Sequence, residues 1–247
     1  MERESTPSDP RQVFLLRLGD AIRTLSDPVL IQAEATRRLG EHLGASRAHY
    51  AEVDDDQDTA RVFAGFHAAG VASVVGVHRI HSFGVQVEQS MHAGRTLVIT
   101  DTNGVDLTPQ EREGYRALGT AAVVAVPMVK SGRLGAILVV HQSVPRSWTP
   151  DEVELVEETV ERMWEVVERA RAEQALRESE ARYRSLFTSI DEGFCIVEVL
   201  FDGEQAVDYR FREVNPAFER HTGLTNATGR RVRELIPDHD AHWFEIY

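Results

Sequence analysis

The chain has 247 residues, 42% of them apolar, and a formal net charge of −13, which suits more than one globular domain with real cores. The acidic balance and the lack of any basic stripe exclude nucleic acid as a partner, because phosphate binding needs clustered Lys and Arg. The single cysteine, Cys195, excludes an internal disulfide and a cysteine-based zinc cluster. The opening MERESTPSDPRQ has no apolar signal-peptide core. The longest apolar run, Ala121 to Val129, is too short to cross a bilayer. A cytoplasmic segment without membrane contact is expected.

Residues 1–10 are polar and expected to be disordered. Val13 to Leu25 carries apolar residues at helical spacing, and a second helix follows, capped by Asp27 with Pro28 in its first turn and ending at Gly44. SRAHYAEVDDD and TARVFAGF alternate as strands around the acidic turn Asp54 to Asp58. VASVVGVHRI reads as a third strand, Ser82 to Ala93 as a helix, and RTLVITD as a short strand. Thr108-Pro109-Gln110-Glu111 is a capping box whose helix ends at Gly119. TAAVVAVPMV and LGAILVVHQ form a hairpin turning at Ser131-Gly132, apolar enough throughout to lie in the centre of a sheet covered on both faces. Residues 11–149 therefore read as an α+β domain, an antiparallel sheet flanked by helices.

Thr149-Pro150-Asp151-Glu152 is a second capping box, and no helix breaker follows before Gly193. A helix over 150–190 would be about 60 Å long at 1.5 Å per residue. Val153, Val156, Val160, Met163, Val167 and Ala170 recur at alternating three- and four-residue steps, the spacing of a coiled-coil seam and hence of a homodimer. Packing of this first half on its own domain gives the same spacing. Leu176, Ser179, Tyr183, Leu186 and Ile190 continue at those steps in a shifted phase, with the break near Arg171 to Ala175. The second half is too polar for burial on one domain and carries Glu-to-Arg pairs four apart at 173/177, 178/182 and 180/184, each worth roughly 0.2–0.5 kcal/mol. After Gly193 the pattern is strand, turn at Asp202-Gly203, strand, then a short helix opened by Asn215-Pro216 and stopped at Gly223. Residues 191–247 hold too few strands to close a second core, so an incomplete α/β domain is expected.

LRESEARYRSLF resembles the helical lead-in that joins sensory domains to a PAS domain in bacterial signalling proteins, and VNPAFERHTGL with ATGRRVRELIPD is similar to the start of a PAS domain. Upstream, LGASRAHYAEVDD, GRTLVITD, AVPMVKSGRLGAILVVHQ and PRSWTPDEVELVEETVERMW resemble the GAF domains of sensor histidine kinases. The resemblance implies a sensory and dimerisation module, the input region of a two-component sensor histidine kinase, relaying a signal through a coiled coil to an output domain absent from this chain. No phospho-acceptor helix or ATP-binding box stands in these residues; His42, before the first GAF strand, reads as a helix-end residue.

Ten histidines raise the question of metal or haem. His78-x-x-His81 and His239-x-x-His242 are the closest pairs, but neither has a third ligand on a clear helix, so no metal site is expected. Asp101-Thr-Asn103-Gly-Val-Asp106 hints at a calcium loop, yet Arg112 stands where the bidentate Glu belongs. No cysteine lies where a GAF domain attaches a bilin covalently, and Cys195 lacks the Asn-Cys-Arg setting of flavin light sensors. No catalytic residues and no specific cofactor are expected. An unknown small ligand is placed between the sheet and residues 78–91, on His78, His81 and Phe83; a filled core without ligand is the alternative, and a noncovalent haem, flavin or bilin sensor the other.

Overall fold

The computed structural model describes residues 9–104 and 107–240. Residues 1–8, expected to be disordered, lie outside these, as does His242 of the second histidine pair. Residues 9 and 10 are ordered: Asp9 accepts a hydrogen bond from the Arg11 amide at 3.0 Å and so caps α1 (Pro10–Arg23). Asp27 in turn caps α2 (Pro28–Leu43), which stops where Gly44 turns left-handed at φ 56°.

Six strands form one antiparallel sheet. They are β1 (Arg47–Val53), β2 (Thr59–His67), β3 (Gly76–Arg79), β4 (Leu97–Ile99), β5 (Ala122–Lys130) and β6 (Arg133–Gln142), in the order β3-β2-β1-β6-β5-β4. The expected hairpin is β5–β6, and both its strands lie inside the sheet. Its turn residues Ser131 and Gly132 both have positive φ, as a two-residue hairpin turn demands. Two expectations shift locally. The third strand shrinks to β3. The helix expected from Ser82 divides into a 3-10 turn (Ile80–Phe83) and α3 (Val85–His92), because Gly84 interrupts it at φ 114°.

The sheet separates two apolar layers. On one face α1, α2 and the start of α5 (Pro150–Ser189) pack on Ala48, Tyr50, Val124, Leu138 and Val140. On the other, the 3-10 turn, α3 and α4 (Pro109–Ala117) cover Ala51, Ala60, Val123, Ala125 and Ile137. Both capping boxes form, Thr108 with Glu111 and Thr149 with Glu152.

The coiled-coil reading of the first half of α5 is corrected by its burial. Val156, Val160, Met163, Val167 and Ala170 are at most 3% exposed inside the first unit's own core, and Val153 packs beside them. A stripe at three- and four-residue steps fits a sheet with flanking helices as well as it fits a partner helix.

The chain divides into two compact units, residues 1–173 and 174–247. The second contains the end of α5, the hairpin β7 (Cys195–Asp202) and β8 (Gln205–Val214), then α6 (Pro216–Thr222) and α7 (Val232–Leu235). Its small core centres on Phe211, Phe218, Ala227 and Val232. Asn215 organises it: its side chain caps α6 by accepting from the Phe218 amide at 2.8 Å, accepts from the Phe194 amide, and donates to the Glu192 carbonyl. Leu176, Tyr183, Leu186 and Ile190 are 40–61% exposed along α5, and Ser179 is exposed beside them.

Candidate functional site

The first unit encloses a cavity of about 90 Å³ between the sheet and the layer of the 3-10 turn, α3 and α4. Strand alternation sets its walls, since successive side chains point to opposite faces. His49 and Ala51 of β1, Val123 and Ala125 of β5, and Ile137, Val139 and His141 of β6 form the floor; Phe83, Val87, Met91 and Tyr115 form the roof.

Polar groups on this apolar wall are few. The His49 and His141 rings meet edge to face with centroids 5.0 Å apart. The His141 Nδ1 shares a hydrogen bond with Thr120 Oγ1 at 3.1 Å, whereas the buried His49 Nδ1 has no partner. His78 at the mouth donates from Nε2 to the Val74 carbonyl at 2.7 Å. Burial lowers the His49 pKa to about 3, with His78 and Arg47 adding repulsion. Burial likewise carries His141 well below its ordinary value, helped by His49 and Arg47. Both rings are neutral at physiological pH. Burial pushes the Tyr115 hydroxyl up to about 12, and its ring lies 5.8 Å from that of Phe83. Behind the two histidines, the buried Arg47 donates to the carbonyls of Ala72 and Leu118 and to Thr120 Oγ1.

Of the three residues predicted for the ligand, His78 and Phe83 line the cavity. His81 does not. Its ring is 59% exposed and turned to the acidic turn, with Nδ1 2.7 Å from Asp58 Oδ2. His78 reaches the cavity from β3 and Phe83 from the end of the 3-10 turn, while His81 between them faces Asp58. The sequence reading missed His49, His141 and Tyr115. A signal existed for the first two, because a titratable ring inside an otherwise apolar strand, as in LGAILVVHQ, needs a reason to be buried. Tyr115 carried none, lying in a polar, capped helix.

No lining residue is an acid, a lysine or an arginine, so the cavity suits an uncharged ligand held by shape and a neutral hydrogen-bonding group. Among the described residues no cluster of three or more His, Cys, Asp or Glu side chains could hold a metal ion. The second unit has its own cavity of about 310 Å³, lined by Cys195, Tyr209, Phe211, Phe218 and His239 among others. The Cys195 thiol is half-buried and its pKa raised by that burial, which makes it a poor nucleophile.

The GAF domain family matches residues 27–167. The chain belongs to that family. A PAS domain follows over residues 181–246. No curated protein matches the chain. Among solved structures, it is similar to the chromophore-binding domain of an unusual bacteriophytochrome from R. palustris, at 14% identity and TM-score 0.58, with 72% of this chain and 65% of that one covered. A longer bacteriophytochrome structure from the same photosynthetic bacterium gives TM-score 0.62 at 14% identity, covering 74% of this chain and 42% of that one. The phycoerythrobilin-bound GAF domain of a cyanobacterial phytochrome gives TM-score 0.59 at 19% identity, covering 68% of this chain and 99% of the other. This chain thus spans under two thirds of the first two structures, and likeness at such identity establishes the fold. GAF followed by PAS makes the chain a sensory module. Among the described residues no helix is long and apolar enough to cross a membrane.

Proposed function

We propose that the first unit senses a small uncharged ligand in the His49–His141 cavity and that α5 carries the result toward the PAS unit and beyond it. The protein then acts in the cytoplasm as the input region of a two-component sensor histidine kinase. The observation carrying this reading is the cavity itself, apolar and walled by neutral histidines on the sheet face opposite α5. Native mass spectrometry of the purified protein and a thermal-shift screen of small neutral compounds test it. A bound compound, or a stabilisation, that disappears in Ala125→Leu supports the reading. Compounds whose effects all survive that substitution bind elsewhere and overturn it.

Homodimerisation belongs to the same proposal, transferred from the buried first half of α5 to its exposed second half. Leu176, Leu186 and Ile190 lie in solvent at coiled-coil steps, and a helix so exposed gains stability from a partner.

A bilin sensor is the second reading, favoured by the bilin carried by the cyanobacterial neighbour. The walls present do not fit it as they stand. A cavity of about 90 Å³ is far below the roughly 300–1,000 Å³ of pockets that enclose larger ligands, and no cysteine lies within residues 27–167 for covalent attachment. Biliverdin would have to displace the α3 layer. Incubation with biliverdin followed by desalting tests this: a retained, shifted absorption band supports the bilin reading, and a colourless protein rejects it. The same spectrum of the protein as purified reports on haem or flavin.

A further inference from the structure

Consecutive residues of strand β1 reach both the cavity and Arg171 near the end of α5's buried half. His49 and Ala51 line the cavity, while Tyr50 and Glu52 point through the sheet to the helical face. There Glu52 pairs with Arg171, in the last turn of α5 before the first unit ends at residue 173. Glu52 is also held from α2, because Gln32 Nε2 donates to its Oε1 at 2.5 Å. Arg171 makes a second ion pair with Glu168 at 2.8 Å. The Tyr50 hydroxyl, buried beside this cluster, has no hydrogen-bond partner.

Two features make this cluster suited to switching rather than to simple stabilisation. The Arg171 side chain is 36% exposed and keeps Glu168 as a second partner, while Glu52, 19% exposed, keeps Gln32, so breaking their pair leaves neither charge alone and the two states can lie close in energy. The pairing of β1 with β2 is also irregular between His49 and Ala51, while its pairing with β6 is continuous. The extra residue lies on β2, since His49 opposes Gly65 and Ala51 opposes Val62, so the ladder beside Ala51 is disrupted on that side alone.

We infer that Glu52, Arg171 and Gln32 form a clamp through which filling of the cavity sets whether the root of α5 is held or released. The inference rests on the cavity being the input site. Displacement of Ala51 by an occupant tilts the neighbouring Glu52 and breaks its pair with Arg171; the backbone around residues 168–175 then loosens. Glu52 and Arg171 are positioning residues and touch no ligand.

A side chain inserted into the cavity stands in for the unidentified ligand, and amide hydrogen exchange of the whole chain reads the result. Ala51→Leu, with Ala125→Val as a milder filler in case the first fails to fold, should raise exchange over residues 168–175 by about tenfold or more while leaving α2 protected. Glu52→Gln should raise exchange there by itself, and adding either filler should then change nothing further, the non-additivity expected of coupled sites. The double exchange Glu52→Arg with Arg171→Glu should restore both the protection and the response to filling. Fillers that act equally with and without Glu52 overturn the clamp but leave the cavity as input. Fillers that leave residues 168–175 unchanged in the otherwise native protein also overturn the clamp, whereas the cavity as input stands or falls on the compound screen.

Discussion

His49 and His141 show what a single buried ring does to a fold. An unfolded histidine binds its proton near pH 6.5, but His49 inside the first unit does so only near pH 3. Between those values the unfolded chain holds more protons than the folded one, so stability falls as pH falls. It is fully present above pH 6.5 and is drained through the window down to about 3, with His141 adding in the same direction. The loss between pH 6.5 and 5.5 should be about 1 kcal/mol for His49. Melting temperatures across this window, above the range where most carboxylates titrate, should fall steadily and fall less in His49→Gln. An unchanged slope would show that the ring relaxes into water before the unit melts. A Cβ on Gly135 would stand 2.4 Å from the Trp164 ring of α5, so Gly135→Ala should destabilise the first unit by roughly 1–3 kcal/mol through overpacking; an unshifted urea midpoint would contradict this.

At the scale of elements, the two halves of α5 should answer opposite perturbations. Met163 is fully buried in the core of the first unit, so Met163→Ala should cost about 2–5 kcal/mol in its unfolding. Leu186 is 61% exposed, so Leu186→Glu should leave thermal stability within about 0.5 kcal/mol yet lower the sedimenting mass of any dimer. A wild-type chain that already sediments as a monomer at micromolar concentration removes the dimer. The contrast also marks how far the sequence could be read. Helix starts at Asp27, Thr108 and Thr149 and the Ser131-Gly132 hairpin were legible because a cap or tight turn is decided by four neighbouring residues. The destination of the Val153–Ala170 stripe was not, because sheet and partner helix demand the same spacing. His81 was misplaced for a related reason: only the three-dimensional path from β3 through the 3-10 turn decides that His78 and Phe83 face inward while His81 meets Asp58.

For the whole molecule, the relation between the buried and exposed stripes of α5 is the quantity to perturb. Residues up to Ala170 are fixed to the first unit's sheet, while those from Leu176 onward lie in solvent within the second unit. One residue inserted after Ala172 rotates everything downstream by about 100°, and seven nearly restore the phase. In the complete signalling protein, the single insertion should fix output on or off, and the seven-residue insertion should preserve regulation. Equal behaviour of the two would leave α5 a spacer. The abrupt end of burial at Ala170 has a further consequence for how such proteins can be recombined. A splice between residues 172 and 176 cuts through no core side chain of the first unit, so the helix can be rejoined there without disturbing that unit's interior. The helical phase across the joint is then the only specification a graft must meet, and grafts differing by whole heptads should be interchangeable where those differing by one residue are not.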